Sequence, residues 1–369
     1  MSEDYGIGPK KEFREIAPPE IDYAPPRPRA SHPGIGLIGT GGISETHLKA
    51  YREQGFHLIA LTSRTRSRAE EKRDAFFPEA EVLDSVEEML ARPDIEVVDI
   101  TPHPKARVPI VRAALKAGKH VLSQKPFVLD LDVGEELVAL ARENGVKLAV
   151  NQNARWAPHF CYLRKSIEAD LIGAVTTIDI SLQWDHSWVA TIPEFNDQKH
   201  LILFDFAIHW FDAIHCMMKG RQAQKVYATA TRFDGQICSP PALASVIIEY
   251  PDAEVRMNFN AHALHGEEDV ITVVGTKGTL RSRGADVKNH PVMEVYLEAG
   301  QVEVPLEGEW FEEGFQGTMG ELLLAIEEDR EPENSAQDNL GSLALCFAAI
   351  ASAERGVPVE VGSVRRLES

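Results

Sequence analysis

Cysteine, basic charge and long apolar runs are all scarce in this chain of 369 residues. Its four cysteines lie far apart without a C-x-x-C pair: Cys161, Cys216, Cys238 and Cys346. That pattern disfavours a disulfide framework and predicts reduced thiols in a cytoplasmic protein. No apolar run approaches the roughly 18 residues of a membrane span, so we expect no membrane contact. Lysine and arginine number 38 against 57 aspartates and glutamates, and the net charge of −19 argues against a nucleic-acid surface.

What the chain does have is a regular alternation of short apolar strands and helical segments over residues 34–153. Such β-α repetition predicts a doubly wound parallel sheet, that is, an α/β Rossmann domain. One of its helices is expected at residues 109–117. Longer strand-like runs follow, with helices expected at residues 203–218 and 320–329. We therefore predict a second, α+β domain over residues 154–369, with a large open, mostly antiparallel sheet.

Residues 1–33 differ from both domains, because they are rich in proline and carry almost no periodic apolar signal. Such a segment prefers extended or polyproline conformations. One interpretation is a disordered tail. The other, which we favour, is an arm that lies on the protein's own surface or on a neighbouring subunit. Its apolar anchors are expected to be Phe13, Ile16, Ile21 and Tyr23.

A glycine-rich turn joins the first predicted strand, residues 35–38, to a helical segment. Strand, turn and helix in this order are the context in which G-x-G-x-x-G/A predicts a dinucleotide site. Gly39 permits the tight turn, Gly41 lets the backbone approach a pyrophosphate, and the helix N-terminus faces its negative charge. Ser44 stands at the third position, where glycine or alanine is usual. A turn that binds no ligand is the alternative.

A lysine, Lys125, follows the strand at residues 120–123 and precedes Pro126. Ligands of an open α/β sheet bind beyond the carboxyl ends of its strands, so we expect Lys125 in the cofactor crevice. A solvated surface lysine is the alternative.

Two ionisable residues, Asp205 and His209, are four positions apart in the otherwise apolar helix expected at residues 203–218. On one helical face the carboxylate can orient the imidazole, which suits a general base. The alternatives are a buried structural hydrogen bond or, with His215, a metal site. The spacing of the two histidines is poor for metal ligands, so we predict no metal. Asp212 is expected to be a structural partner of the neighbouring backbone.

Five motifs follow one another along the chain. They are the Gly39 fingerprint, residues 118–126 (GKHVLSQKP), Asp205-x-x-x-His209-x-x-Asp212, residues 275–280 (GTKGTL) and residues 352–356 (SAERG). From residue 34 onward the chain thereby resembles the glucose-fructose oxidoreductase/inositol dehydrogenase/MocA family. The resemblance implies reversible NAD(P)-dependent hydride transfer on sugars or polyols. It also implies a homodimer or homotetramer that forms through the open sheet.

The resemblance assigns roles to single residues. Lys125 matches the lysine that hydrogen bonds to the reacting oxygen, and Asp205 and His209 match the substrate-binding and acid/base pair. Gln124 stands where the family usually has glutamate, and His103 where it often has asparagine. The implied cofactor-binding residues are Gly39, Thr40, Gly41, Gly42, Ile43, Ser63, Arg64, Thr101, Pro102, His103, Gln124, Lys125, Gln152 and Asn153.

Two loops of polar and aromatic residues are expected to line the substrate pocket, since sugars are held by hydrogen-bonding groups and flat apolar faces. One loop follows the last Rossmann strand, and the other follows the first strand of the second domain. The predicted substrate-binding residues are Lys125, Arg155, Trp156, Asp185, His186, Asp205 and His209.

The cofactor is open between NAD and NADP. Ser63 and Arg64 occupy the place where NAD enzymes usually carry an acid. They could hold a 2′-phosphate, yet serine also bonds ribose hydroxyls and arginine stacks on adenine.

We predict a dehydrogenase that oxidises an aldose of pentose or hexose size at the anomeric carbon to the lactone. The alternatives are a keto-sugar reductase, a polyol or inositol dehydrogenase, and a non-catalytic dinucleotide or sugar sensor. A sensor would not need Lys125, Asp205 and His209 together.

Overall fold

The computed structural model describes residues 14–367 of the chain. Its first part comprises β1 (Ile35–Ile38), α1 (Ser44–Gln54), β2 (Leu58–Thr62), α2 (Arg66–Phe76), β3 (Glu81–Leu83), α3 (Val86–Ala91), β4 (Val97–Ile100), α4 (Pro104–Lys116), β5 (His120–Gln124), α5 (Leu131–Glu143) and β6 (Leu148–Asn151). Within the described residues these strands form a six-stranded parallel sheet in the order β3-β2-β1-β4-β5-β6. The strand order reverses between β1 and β4, which is where doubly wound sheets bind ligands. The predicted Rossmann architecture is confirmed.

A larger sheet organises the second part of the chain. The elements are α6 (Pro158–Glu168), β7 (Val175–Gln183), α7 (Pro193–Asn196), α8 (Ile208–Met217), β8 (Lys225–Thr231), β9 (Leu243–Tyr250), β10 (Ala253–Asn260), β11 (Glu268–Gly275), β12 (Gly278–Gly284), β13 (Val292–Leu297), β14 (Gly300–Pro305), α9 (Trp310–Glu327), α10 (Ala336–Arg355) and β15 (Val359–Glu360). In the described chain the order is β14-β13-β12-β11-β7-β10-β9-β8-β15, and only β7 and β10 pair in parallel. The predicted α+β domain with a mostly antiparallel sheet is confirmed.

Two helices begin earlier than the sequence predicts. Helix α4 begins at Pro104 rather than Pro109, because a proline fits the first turn of a helix, where its missing N–H is not needed. Helix α9 begins at Trp310, ten residues before the expected start. Its first part is not predicted because three glycines, which have a low helix propensity, interrupt the helical pattern of the sequence: Gly314, Gly317 and Gly320. None of the helices within residues 14–367 is both long and apolar enough to cross a membrane.

The glycines of α9 let this C-terminal helix lie close against the rest of the molecule. A Cβ at Gly314 would approach the Asn153 carbonyl oxygen to 2.6 Å, and one at Gly317 would meet the Trp156 ring at 2.2 Å. On the same helix Phe315 and its apolar neighbours join the core beneath the Rossmann strands. Helix α9 therefore covers the first domain although it lies in the second part of the sequence.

The described part of the N-terminal arm lies on the protein's own surface. The backbone N–H of Ile16 donates to the carbonyl of Gln301 at 3.1 Å. The ring of Tyr23 packs edge-on against that of Tyr162, with 5.8 Å between centroids. Further along, the Glu327 carboxylate accepts backbone N–H groups of three consecutive arm residues, Arg29, Ala30 and Ser31. The expected anchor Phe13 lies outside the described residues.

Candidate active site

The glycine turn between β1 and α1 leaves room where a dinucleotide phosphate would bind. Gly39 has a φ of +99°, and a Cβ there would approach the Thr101 hydroxyl oxygen to 2.6 Å, so the turn requires glycine. A Cβ at Gly41 or Gly42 would meet no described atom within 4 Å. The buried Thr40 hydroxyl has no hydrogen-bond partner in the described chain. Open space and an unpaired hydroxyl both fit a bound phosphate.

Helix α1 begins directly after this turn, with Ile43 as the preceding residue and Ser44 as the first. Ser44 is fully buried, and its hydroxyl donates to the Gly41 carbonyl at 2.6 Å. Serine therefore replaces the usual small residue without leaving a polar group unpaired. The N–H groups and the partial positive charge of the helix N-terminus favour an anion here. The residues present fit the pyrophosphate of a dinucleotide.

The ends of β2 and β4 border the same crevice. Arg64 is exposed beyond β2, and the neighbouring Ser63 hydroxyl accepts the Thr65 N–H at 3.5 Å. Beyond β4 the Thr101 hydroxyl donates to the Gly39 carbonyl at 3.0 Å. His103 is exposed and precedes α4.

The end of β6 contributes two buried amides. Both polar side-chain atoms of Gln152 lack a partner among residues 14–367, although this residue is fully buried. The Asn153 side-chain oxygen instead accepts the Trp310 indole N–H at 2.7 Å. Of the two predicted cofactor residues, Gln152 thus keeps its hydrogen-bonding capacity and Asn153 uses its oxygen to fix α9.

Lys125 lies directly after β5, and its ammonium meets Asp205. Nζ donates to the Asp205 carbonyl at 2.7 Å and lies 3.3 Å from the carboxylate oxygen Oδ2. The Lys125–Pro126 peptide bond is cis. The buried guanidinium of Arg107 fixes this loop, since it donates to the carbonyls of Pro102 and Pro126. Burial lowers the pKa of Arg107 to about 9.

The helix expected over residues 203–218 is divided in two. Ile202–Phe206 form a π-helix, and the α-helix α8 begins at Ile208. The chain thus changes from π-helical to α-helical geometry between Asp205 and His209. The structure pairs Asp205 with Lys125 and leaves His209 Nδ1 without a partner in the described chain. The expected Asp205–His209 pair is therefore corrected to an Asp205–Lys125 pair.

His209 is a buried imidazole near Lys125. Its ring lies edge to face with that of Trp310, with 5.3 Å between the centroids. Burial and the positive charge of Lys125 together lower the pKa of His209 well below its ordinary value. Both effects favour the neutral form of the imidazole. A neutral imidazole beside a cationic ammonium can accept a proton from a hydroxyl whose oxygen the ammonium holds.

Five ring-bearing residues pack together in what we call the aromatic wall: Trp184, His186, Trp188, Phe195 and Phe206. The Phe206 ring centroid is 5.9 Å from Lys125 Nζ and 3.9 Å from the ring centroid of His186. The Trp184 indole N–H donates to His186 Nδ1 at 2.7 Å, and burial lowers the pKa of His186 to about 3. The aromatic wall thus borders the Lys125 ammonium.

Asp185, which precedes His186 in the loop after β7, is also predicted to bind substrate and lies at the surface. Its carboxylate accepts the Ser187 N–H at 2.9 Å. The pKa of Asp185 is lowered first by a hydrogen bond from the Ser187 side chain and then by this backbone bond. Asp185 is therefore beside the aromatic wall rather than within it.

Arg155 and Trp156 are buried, and their side chains are already engaged. Two guanidinium nitrogens of Arg155 donate to the Asp212 carboxylate, both at 2.7 Å, and one also donates to Asp338 at 2.7 Å. Trp156 lies under α9 against Gly317. In place of the substrate contact expected from the sequence, we propose that both residues support the wall of the site. Asp212 is structural, as expected, but its partner is a guanidinium and not the neighbouring backbone.

The histidine that suggested a metal alternative has another partner. His215 Nε2 lies 3.2 Å from the Asp338 carboxylate. Among residues 14–367 no group of three or more His, Cys, Asp or Glu side chains is arranged to hold a metal ion.

Sequence reasoning misses several residues of this region. Arg107 belongs to no motif, and Phe206 looks like an ordinary apolar helix residue beside Asp205. The buried His47 and Asp99 lie beneath Gln124. One signal was available for the last pair, because Asp99 is an acid in the middle of a short apolar strand, where a charge needs a partner.

Comparison with known proteins agrees with this geometry. Residues 34–152 match the oxidoreductase family with an NAD-binding Rossmann fold, GFO/IDH/MocA, and residues 160–281 match the GFO/IDH/MocA C-terminal domain. The chain belongs to this family. The family resemblance is confirmed, and the protein is an oxidoreductase that uses NAD or NADP.

Relatives span almost the whole chain. Inositol 2-dehydrogenase of Rhizobium meliloti is 27% identical over 86% of this chain and 96% of its own. D-apiose dehydrogenase of Paraburkholderia graminis is 25% identical over 89% of each. An oxidoreductase from Agrobacterium radiobacter, crystallised with NAD+, L-tartaric acid and magnesium, shares the fold with a TM-score of 0.81. That structure is 20% identical and covers 90% of this chain and 99% of its own.

Proposed function

We propose that this member of the family oxidises a sugar, most directly an aldose of pentose or hexose size at its anomeric carbon, to the lactone. The observation that carries the proposal is the Lys125 ammonium, held by Asp205 beside a neutral His209 at the carboxyl end of β5. The names of two relatives, an inositol and an apiose dehydrogenase, support a small polyhydroxylated substrate.

In this mechanism His209 accepts the proton of the substrate hydroxyl, because its imidazole is neutral. Lys125 donates a hydrogen bond to the same oxygen and stabilises the negative charge that develops there. An ammonium has three N–H donors, so Lys125 can do this while it remains bound to Asp205. The nicotinamide, when bound, supplies the hydride acceptor. In the reverse direction His209 would return the proton, which describes a keto-sugar reductase.

The aromatic wall supports a ring-shaped substrate with an apolar face. Trp188 is 45% exposed, and its ring lies 4.6 Å from that of His186. An exposed tryptophan beside a buried polar site offers a flat surface on which the C–H face of a sugar ring can pack. Asp185 and His186 would bond its hydroxyls.

Cofactor preference, assembly and cellular location are further parts of the proposal. The exposed Arg64 beyond β2 would favour the 2′-phosphate of NADP. Tyr227 and Ile247 are about two-fifths exposed on the outer face of the large sheet, at 40% and 42%, which supports a homodimer or homotetramer through that sheet. A cytoplasmic location remains a prediction.

A cofactor-reduction screen tests the proposal. The purified protein is assayed with NAD and with NADP against aldoses, inositols and acyclic polyols, and with NADH and with NADPH against keto-sugars. The absorbance of reduced nicotinamide is followed in each case. We expect turnover with at least one aldose. Turnover with inositols alone would favour the polyol alternative. Dinucleotide binding without turnover of any compound would favour the sensor and contradict the proposal.

A further inference from the structure

A buried polar network lies beneath Lys125 and takes no part in the chemistry proposed above. At the centre of this network is His47 on α1, which is fully buried. Its Nδ1 lies 2.7 Å from the Asp99 carboxylate and 3.3 Å from the Tyr51 hydroxyl, which itself donates to Asp99 at 2.6 Å. Its Nε2 lies 3.1 Å from the amide nitrogens of both Gln124 and Asn151. The strands β4, β5 and β6 and helix α1 all contribute to this network.

The backbone N–H of Lys125 determines which way the hydrogen bond between Gln124 and His47 runs. This N–H can only donate, and it donates to the side-chain oxygen of Gln124 at 2.6 Å. The Gln124 amide nitrogen is thereby turned toward His47, and an amide nitrogen can only donate. His47 Nε2 must therefore be an acceptor without a proton. The ring proton belongs on Nδ1, where the oxygens of Asp99 and Tyr51 accept it.

We propose that His47 is a positioning residue that fixes Lys125 through Gln124. The lone pair of Nε2 holds the Gln124 amide in one orientation, and the oxygen of that amide holds the Lys125 N–H. Arg107 binds the next carbonyl, that of Pro126, so the loop is fixed on both sides. This inference rests on the proposed function, in which Lys125 holds the reacting oxygen.

The proposal couples residue 124 to the protonation of His47. A glutamate at this position would still accept the Lys125 N–H, but it offers no donor to His47 Nε2. Asn151 would still donate to Nε2, but the new carboxylate would face the same lone pair. We therefore expect the imidazole to take up a second proton and to lie as an imidazolium between Asp99 and that carboxylate. The expected His47 side chain is thus a neutral imidazole when residue 124 is glutamine and an imidazolium when it is glutamate.

Imidazole nitrogen NMR tests the coupling without any substrate. Protein labelled with 15N-histidine is compared with the Gln124→Glu variant, and the His47 signals are those that vanish in His47→Gln. We expect a protonated Nδ1 and an unprotonated Nε2 in the native chain, and two protonated nitrogens in Gln124→Glu. A proton on Nε2 of the native chain, or an unchanged ring in the variant, would overturn the proposal. This result is independent of turnover, so it is decided even if the proposed function fails.

Kinetics separate positioning from simple stability. His47→Leu removes the acceptor and should lower kcat by roughly 10–100-fold, as expected for a small misplacement of a catalytic group. His47→Gln can return an oxygen acceptor near the Nε2 position and should recover most of that loss. Tyr51→Phe leaves both Nε2 bonds intact and should change the melting temperature but not kcat. Equal kcat losses in His47→Leu and Tyr51→Phe, or no recovery in His47→Gln, would show a structural role only. If His47→Leu does not fold, His47→Gln, Tyr51→Phe and the NMR comparison still decide.

Discussion

The cofactor side and the substrate side of the site are built in different ways. The cofactor side is made of backbone: a glycine turn, the first turn of α1 and the ends of parallel strands. The substrate side is made of side chains placed by irregular structure, the π-helix Ile202–Phe206 and the loop that carries His186. Regular backbone follows from local patterns, whereas an irregular turn is set by what packs against it.

This difference predicts that each side can be damaged without the other. A lesion on the substrate side should lower turnover and leave dinucleotide binding intact. A lesion on the cofactor side should weaken dinucleotide binding first. Three substitutions test that separation, in order of decreasing effect, and a change of pH then tests the buried imidazoles.

Replacement of Lys125 by methionine should have the largest effect. It removes the hydrogen bond and the charge at the reacting oxygen, so kcat should fall by roughly 10³-fold. Steady-state kinetics measure the loss, and fluorescence titration should give a dinucleotide Kd within about threefold of the native value. Lys116→Met, at an exposed position on α4, is the matched control and should be neutral. A large loss of dinucleotide binding in Lys125→Met would contradict the separation.

Gly41→Val should weaken dinucleotide binding by roughly 100-fold, about 3 kcal/mol. Its Cβ would meet no described protein atom, so the melting temperature should hardly change. Gly39→Val is the contrasting variant, because its Cβ would collide with Thr101 and its φ of +99° disfavours valine. That variant should lose stability as well. If Gly41→Val binds the dinucleotide normally, the pyrophosphate does not lie at this turn.

Arg64→Ala should weaken NADP binding about tenfold, the usual effect of losing one charge-assisted hydrogen bond. NAD binding should be nearly unchanged, as should both affinities in the matched variant Arg68→Ala on α2. Isothermal titration with each dinucleotide gives the comparison. Equal losses for NAD and NADP would rule out a 2′-phosphate role for Arg64.

Acid should destabilise the fold through its buried neutral imidazoles, a smaller effect. Burial lowers the pKa of His186 to about 3 and that of His120 to about 4, and the pKa of His209 is also lowered. Below about pH 6.5 the unfolded chain binds protons at these positions and the folded chain does not, so stability falls as the pH falls. The melting temperature should drop by roughly 5 °C between about pH 7 and 5. A constant melting temperature over that range would contradict the buried neutral state.

The strand, turn and helix of the cofactor side follow from the sequence because each is a local pattern. The turn at Gly39 can be placed from the end of β1 and the start of the helical pattern alone. The substrate side is harder, since Asp205 and His209 are spaced as for an α-helix and only packing shows that the turn is a π-turn. Arg155 lies in a loop whose composition is typical of a sugar-binding loop. Its guanidinium nevertheless forms ion pairs with Asp212 and Asp338, which are distant from it in sequence. The start of α9 is also hard to predict. Its glycines lower the helix propensity, and their role in close packing is visible only when the residues packed against them are known.

In the proposed mechanism His209 takes the substrate proton. The most direct test measures kcat and dinucleotide Kd together for the native chain and His209→Ala, with a substrate found in the screen. We expect kcat to fall by roughly 10³-fold while the dinucleotide Kd stays within about threefold of the native value. An unchanged kcat in a folded His209→Ala variant would contradict it.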